Sequence, residues 1–277
     1  MGHRDPGHPL PLENDMLWHE QSWPTIQSLD KETPVVLPLA SVEQHGHHLP
    51  VFVDTIQVTR IAEQVEQEMG DAVLVGPTQW LGSSHHHGDF PGTISVLPSL
   101  YAEMIKSITR CVLRAGFRRV MFLNGHGGNI VPGTDALSEL VAEEDTANDA
   151  LLAFSSWWHV GSDGIDPERQ GMTTPRITHA CEYETSLMMF FRPDLVHADL
   201  IRVTKPPLSN KWNDSFYGGK VTVLKRFASV TDAGNMGRPD EATAEKGKAL
   251  FEGVISEVVA FLGEFRTWPH LERIGPK

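Results

Sequence analysis

Cysteine is nearly absent: Cys111 and Cys181 are the only two in 277 residues. Two thiols cannot build the disulfide framework of a small secreted domain, so a reducing cytoplasm is the expected setting. No apolar run approaches the roughly 18 residues that a membrane-spanning helix needs. The stretch from Met1 to Pro11 holds His, Pro and Gly and lacks the apolar centre of a secretory signal. Basic residues are outnumbered, with 23 Lys and Arg against 36 Asp and Glu and a net charge of −13. Nucleic acids and anionic membrane surfaces are gripped by clustered cations, so neither is expected as a partner. The surplus acid serves solubility first. Internal repeats, low-complexity tracts and interdomain linkers are missing as well.

What remains is the composition of an ordinary globular protein, 40% hydrophobic and 21% charged. A single α/β domain over residues 1–277 is expected, with residues 1–25 as a loosely packed arm. Apolar runs at 33–40, 72–75, 118–123 and 150–154 read as buried strands. Helical spacing marks 55–69 (stopped by Gly70), 99–115 (closed at Gly116), 131–144, 182–191 and 241–262. Residues 205–240, rich in Gly, Pro, Asn and Lys, read as a long excursion with a hairpin through Lys220 to Leu224. Strands alternating with helices imply a sheet covered on both faces. In such sheets ligands bind beyond the carboxyl ends of the strands.

Carboxylates and imidazoles gather at those ends. Ser41-Val42-Glu43-Gln44-His45-Gly46 sets Glu43 and His45 two residues apart, and in extended or turning backbone such residues point the same way. They can reach one common point or two adjacent ions of the divalent kind that takes oxygen and imidazole ligands. Asp54 follows across a loop short enough to fold a third ligand back. In Asn124-Gly125-His126-Gly127-Gly128-Asn129, glycine removes bulk around His126, so backbone and ligand can approach closely. The amides of Gly127 and Gly128 precede a helix and could hold an anion or a developing oxyanion. Taken alone, the segment serves equally as a tight turn capped by His126. His179-Ala180-Cys181-Glu182-Tyr183-Glu184-Thr185-Ser186 adds an imidazole and two carboxylates at a helix start. One acid there suits the helix dipole; the rest exceeds what capping requires and supplies ligands or proton carriers. Of His85, His86 and His87, one is expected to face the site and two to be solvated. His47 and His48 read as residues behind the ligands or simply of the loop. Trp157 and Trp158 follow a strand and wall a pocket or pack the core with equal ease. Cys111 and Cys181 read as small core residues without a nucleophilic role.

Together these segments resemble the creatininase (creatinine amidohydrolase) family. The resemblance rests on Ser41 to Pro50 with Asp54, Phe90-Pro91-Gly92-Thr93, Asn124 to Asn129 and His179 to Ser186, in family order across roughly residues 33–195. It implies a three-layer α/β/α sandwich with a mostly parallel central sheet and a homo-oligomer, often a hexamer. It also implies two divalent ions per subunit; Zn, Mn and Fe all suit such ligands. By residue it implies Glu43, His45, Asp54 and His126 as metal ligands, with Asp54 bridging. His179 matches a catalytic histidine, and His87 is the ring of the triplet favoured to face substrate. Creatininase itself carries a glutamate ligand in an Asn-Gly-His-Tyr-Glu-Asn segment. Here that position is Gly128, and Glu182 stands where creatininase has an apolar residue. A swap of the fifth ligand to Glu182 is therefore expected, with Glu184 the second candidate and otherwise a proton carrier beside His179. Gly127 in place of the tyrosine speaks against creatinine as substrate.

The implied activity is that of a metal-dependent amidohydrolase. Hydroxide formed at the metals attacks a carbonyl of a small cyclic amide or formamide, with Gly127, Gly128, His87 and Trp157 around the substrate. One alternative is a hydrolase that opens a cyclic ketone, cyclitol or lactone by C–C or C–O cleavage. Another is a metal-binding subunit without catalysis, which would have no use for a proton carrier such as His179.

Overall fold

The structure, a computed structural model, describes residues 16–204, 210–214, 218–271 and 274–275. Four parallel strands form one sheet: β1 (Val35–Leu39), β2 (Leu74–Val75), β3 (Arg119–Asn124) and β4 (Leu151–Ser156), in the order β2-β1-β3-β4. The helices are α1 (Trp23–Ser28), α2 (Val53–Met69), α3 (Pro98–Arg114), α4 (Ile130–Glu143), α5 (Asp145–Asn148), α6 (Trp157–Val160), α7 (Glu182–Phe191) and α8 (Ala244–Phe265). Alternate residues of the central strands point to opposite layers. Val36, Met121 and Leu123 pack in one apolar cluster with Ile61 and Val65 of α2, Leu187 of α7 and Val254 and Val258 of α8. Val35, Leu37, Leu39, Val120 and Phe122 pack in a second with Tyr101 and Ile105 of α3 and Ala136 and Leu137 of α4. A sheet buried on both faces needs apolar side chains at every position, which is why β1 and β3 read as unbroken apolar runs. The result is the α/β/α sandwich that the family resemblance implies.

The strand order positions the site. From β1 the chain crosses over through α2 to β2 on one side, then returns through α3 to β3 on the other. The ends of β1 and β3 therefore flank a topological switch point, where side chains can gather without a crossover in the way. Leu39 pairs with Asn124 at the carboxyl end of the ladder, so the loops carrying Glu43 and His126 start side by side. Gly125 lets β3 close on α2: a Cβ there would lie 2.9 Å from Val58 Cβ and 3.2 Å from the Asp54 carbonyl.

Some details depart from expectation. β2 spans two residues, because Gly70–Ala72 coil into a 3-10 turn; Gly70, at φ +54, ends α2 as anticipated. Residues 220–224 form no hairpin and lie exposed; the local pairing joins β5 (Asn213–Asp214) to β6 (Gly218–Gly219). Residues 205–209 and 215–217 of the expected excursion, and 1–15 of the expected arm, lie outside the described residues. The arm is tied down from Met16, whose amide donates to Glu66 Oε1 at 2.7 Å, and Leu17 bridges to Val75.

Candidate active site

After β1 the chain turns through Glu43 and His45, held by the Glu43 amide on the Val51 carbonyl at 3.0 Å, and enters α2 with Asp54 in its first turn. His126 follows β3, and Glu184 lies in the first turn of α7. Their side chains are buried. His45 Nδ1 faces the Glu43 carbonyl at 3.1 Å, His126 Nε2 the Ser83 carbonyl at 3.2 Å and His179 Nε2 the Gln44 carbonyl at 2.8 Å. A carbonyl only accepts, so each of those nitrogens donates, and the other nitrogen turns inward, offering a lone pair whenever the ring gives up its second proton.

The inward nitrogens meet carboxylates. Asp54 spans two rings, with Oδ1 3.1 Å from His45 Nε2 and Oδ2 3.1 Å from His126 Nδ1. Glu43 Oε2 lies 3.3 Å from His126 Nδ1 and 3.5 Å from His87 Nε2, while its Oε1 lies 3.5 Å from His179 Nδ1. Glu43 Oε2, His45 Nε2 and Asp54 Oδ2 are buried with no hydrogen-bond partner. Such an atom costs about 1–3 kcal/mol, and more when charged, unless something satisfies it. Converging oxygen and imidazole lone pairs are what a divalent cation satisfies, so the residues fit one. Four overlapping groups offer ligand atoms within 4.8 Å of one another: Glu43–His45–Asp54, His45–His179–Glu184, Glu43–His86–His126 and Glu43–His87–His179.

The electrostatics select for positive charge. Burial works against a proton on His45, yet Asp54 beside it, helped by Glu184 and Glu43, pushes its pKa up to about 9. His126 is likewise raised, Glu43 and Asp54 outweighing burial. Burial favours the protonated Asp54 carboxyl, but the facing His45 and His126 hold it well below the usual carboxylate range. Glu184 behaves differently: burial lifts it to about 7 against the pull of His45. The Ala180 amide donates to Glu184 Oε2, from a residue at φ +47, a left-handed conformation uncommon outside glycine and often found at functional sites. His179 is kept neutral by burial and by the neighbouring His45.

Two expected site residues go elsewhere. Glu182 is fully buried but accepts from Lys246 Nζ at 2.6 Å, the Thr173 amide at 2.9 Å and the Thr174 amide and hydroxyl at 2.8 and 2.7 Å. It is therefore not brought to the centre. Trp157, 1% exposed, packs in the core with Trp158 edge-on at 5.3 Å rather than walling the site. Gly127 and Gly128 do line a cavity of about 1040 Å³ that opens beside His85 and His86, between α3 and α4. His87 is buried against the centre, whereas His48 Nε2 bonds Thr185 Oγ1 at 3.0 Å behind it.

Sequence reasoning passed over three participants. Gln44 lies inside the Glu-Gln-His segment itself; its Nε2 donates to the Gly234 carbonyl at 2.7 Å and to His87 Nδ1 at 2.9 Å, holding that ring in place. Phe227 stacks on His87 at 4.1 Å and meets His179 edge-on at 4.8 Å, with no signal in the sequence to announce it. His86, expected to be solvated, stands half-buried beside His126.

A parallel sheet wrapped by helices, with buried carboxylates and imidazoles converging at its switch point, defines an α/β/α protein whose centre fits a divalent cation. The chain belongs to the creatininase family: the family model, creatinine amidohydrolase, matches residues 19–262. It is 31% identical over 244 residues to the mycofactocin precursor peptide peptidase of Mycolicibacterium smegmatis, spanning 84% of this chain and 85% of that one. The creatinine amidohydrolase of Pseudomonas putida is 29% identical over 83% of this chain and 88% of its own. The 3-dehydro-scyllo-inosose hydrolase of Thermotoga maritima is 28% identical over 80% and 74%. A crystal structure of creatininase shares the fold with a TM-score of 0.76 at 23% identity, covering 90% of this chain and 97% of that one. Similar creatininase structures include a zinc–zinc type and a manganese form. The chain is thus a creatininase-family hydrolase. No described helix is long and apolar enough to cross a membrane.

Proposed function

We propose that this protein is a metal-dependent amidohydrolase with two divalent ions, Zn, Mn or Fe, that cleaves the C–N bond of a small cyclic amide or formamide. The observation that carries this is the trio of imidazoles whose outer nitrogens are tied to carbonyls while their inner nitrogens face Asp54 and Glu43. Glu43 and His126 would hold one ion, His45 and Glu184 the other, with Asp54 between them. When bound, such ions lower the pKa of water towards ~7 and polarise a carbonyl.

The chain's own groups supply the rest. His179 is neutral, faces the centre through Nδ1 and is kept from turning by the Gln44 carbonyl. It takes the proton of the attacking water at Nδ1 and returns it to the leaving nitrogen. Phe227, stacked over His87, keeps solvent from that face. Gly127 and Gly128 line the cavity wall, and Gly127, whose Cβ would meet nothing within 4 Å, leaves room there for the substrate carbonyl. Association as a homo-oligomer, a hexamer by family resemblance, belongs to the same proposal and is tested by mass measurement in solution.

The test is metal analysis coupled to a substrate screen of lactams, formamides, short peptides and cyclic ketones. Release of ammonia or amine, dependent on two metal equivalents, is expected. A nitrogen-free acid as product would instead favour ring opening of a cyclic ketone, a reading encouraged by the inosose hydrolase relative. Cleavage of peptides alone would follow the mycofactocin relative, for which a cavity of about 1040 Å³ has room. Full metal loading with no turnover of any of these would leave a binding subunit.

A further inference from the structure

We propose that His86 is a further protein ligand to the ion that Glu43 and His126 hold, a role that rests on the two-ion proposal above. His86, Glu43 and His126 offer ligand atoms within 4.8 Å of one another. The His86 ring stands beside that of His126, 18° between planes and 5.7 Å between centroids. The other imidazoles around the centre have hydrogen bonds to protein: His45 to the Glu43 carbonyl, His87 to Gln44, His126 to Ser83 and Ser84, His179 to Gln44. His86, half-buried among them, makes no hydrogen bond with any described residue.

Gly128 supplies the second line of reasoning. A Cβ at this position would lie 2.2 Å from the Ser83 carbonyl, 2.5 Å from His126 Nε2 and 2.8 Å from His86 Cε1. No side chain can leave the glycine segment here, and the His86 ring fills that flank. The turn that carries His86 is also fixed to His126. Ser84 Oγ bonds His126 Nε2 at 3.1 Å and Ser41 Oγ; the Ser84 amide donates to Ser95 Oγ at 2.7 Å, and the His87 amide donates to the Ser84 carbonyl at 2.9 Å. A ligand mounted on a turn tied to a second ligand is preorganised for a shared ion. His86 also lines the large cavity, so a ligand there would face it.

The full chain, as His86→Ala and His86→Gln, is titrated with Zn(II) and Co(II), and the Co(II) forms are examined by visible and X-ray absorption. Wild type is expected to take two equivalents. Both variants should keep one and bind the second about a hundredfold more weakly, at or beyond the upper end of what losing a residue behind a ligand costs. The Co(II) ligand-field bands should move and the imidazole count fall by one. His85→Ala, on the same turn and the same cavity, should leave affinity and spectrum unchanged. His86→Gln keeps a polar side chain of similar reach, and thermal unfolding of the metal-free forms shows that the fold is retained. Two tight equivalents and an unaltered Co(II) spectrum in both variants, with only KM raised, would make His86 a substrate contact and overturn the proposal. Failure of wild type to take two ions would instead overturn the two-ion proposal itself, and is seen before any variant is made.

Discussion

Glu182 and Glu184, two residues apart on α7, send their carboxylates to different partners: Glu182 Oε1 lies 2.6 Å from Lys246 Nζ, whereas Glu184 joins His45 and His179. Two residues turn a helix by about 200°, so one acid faces α8 and the other the centre. Glu184→Gln should weaken one of two metal equivalents with little change in folding. Glu182→Gln should keep both metals but cost on the order of 2 kcal/mol, because Lys246, 19% exposed, loses its carboxylate partner and keeps only the Glu241 carbonyl at 2.8 Å. Metal titration and urea unfolding of the two variants separate the roles; metal loss in Glu182→Gln would reverse them.

The same pair sets a pH dependence of stability. Burial alone would raise the Glu182 carboxyl above its ordinary 4.5, but Lys246 and the Thr173 and Thr174 donors outweigh it and hold it below. A folded pKa below the unfolded one stabilises at all pH values above the unfolded pKa and is lost as pH falls through the folded value. The stability difference between wild type and Glu182→Gln should therefore be full at neutrality and shrink below about pH 4. Urea midpoints of both proteins from neutral to acid pH check this; a gap that stays constant to the lowest pH would refute it.

The residues explain how far sequence alone could reach. β1 and β3 were legible because a parallel strand buried on both faces must be apolar throughout. Glu43, His45, Asp54 and His126 were legible because each follows a strand end or opens the next helix, and the structure brings them together. The choice between Glu182 and Glu184 was not, since it depends on where α8 places Lys246, 64 residues away. Trp157 carried no local sign that α6 turns it into the core rather than towards substrate. The apolar alternation at Val221 and Val223 mimicked a strand, but a strand needs a continuous ladder, and among the described residues only Val221 is bonded, through its amide to the Trp212 carbonyl at 3.0 Å and its carbonyl to Asn213 Nδ2 at 2.9 Å. His86 was hidden inside a histidine run whose three members differ only in the way a 3-10 turn aims them.

His126 is the ring on which both carboxylates converge. His126→Ala should abolish turnover and release metal, since Glu43 and Asp54 then lose the imidazole they share. Ser84→Ala is the graded counterpart. It removes the hydroxyl on His126 Nε2 while leaving the Ser83 carbonyl in place, so metal affinity should fall about tenfold, the lower end for a group that orients a ligand. Both effects are read by competition with a chelator and by steady-state rates. A His126→Ala protein with full turnover and two bound metals would defeat the assignment of this centre.

Gly127 and Gly128 are adjacent yet predict opposite outcomes. A Cβ on Gly127 meets nothing within 4 Å, so Gly127→Ala should fold and bind metal normally, changing only KM as the cavity wall gains a methyl group. A Cβ on Gly128 meets the Ser83 carbonyl, His126 and His86 at 2.2–2.8 Å, and two of those contacts are not the far ends of flexible chains. Gly128→Ala must push the His126 loop away from the Ser83–His86 turn. That should cost about 1–3 kcal/mol of stability by overpacking and weaken metal binding, because the displaced ring is a proposed ligand. Unfolding and metal titrations on the two alanine variants decide the matter. Equal behaviour at the two positions would mean that the turn at 83–86 yields freely and that His126 does not depend on it for its place.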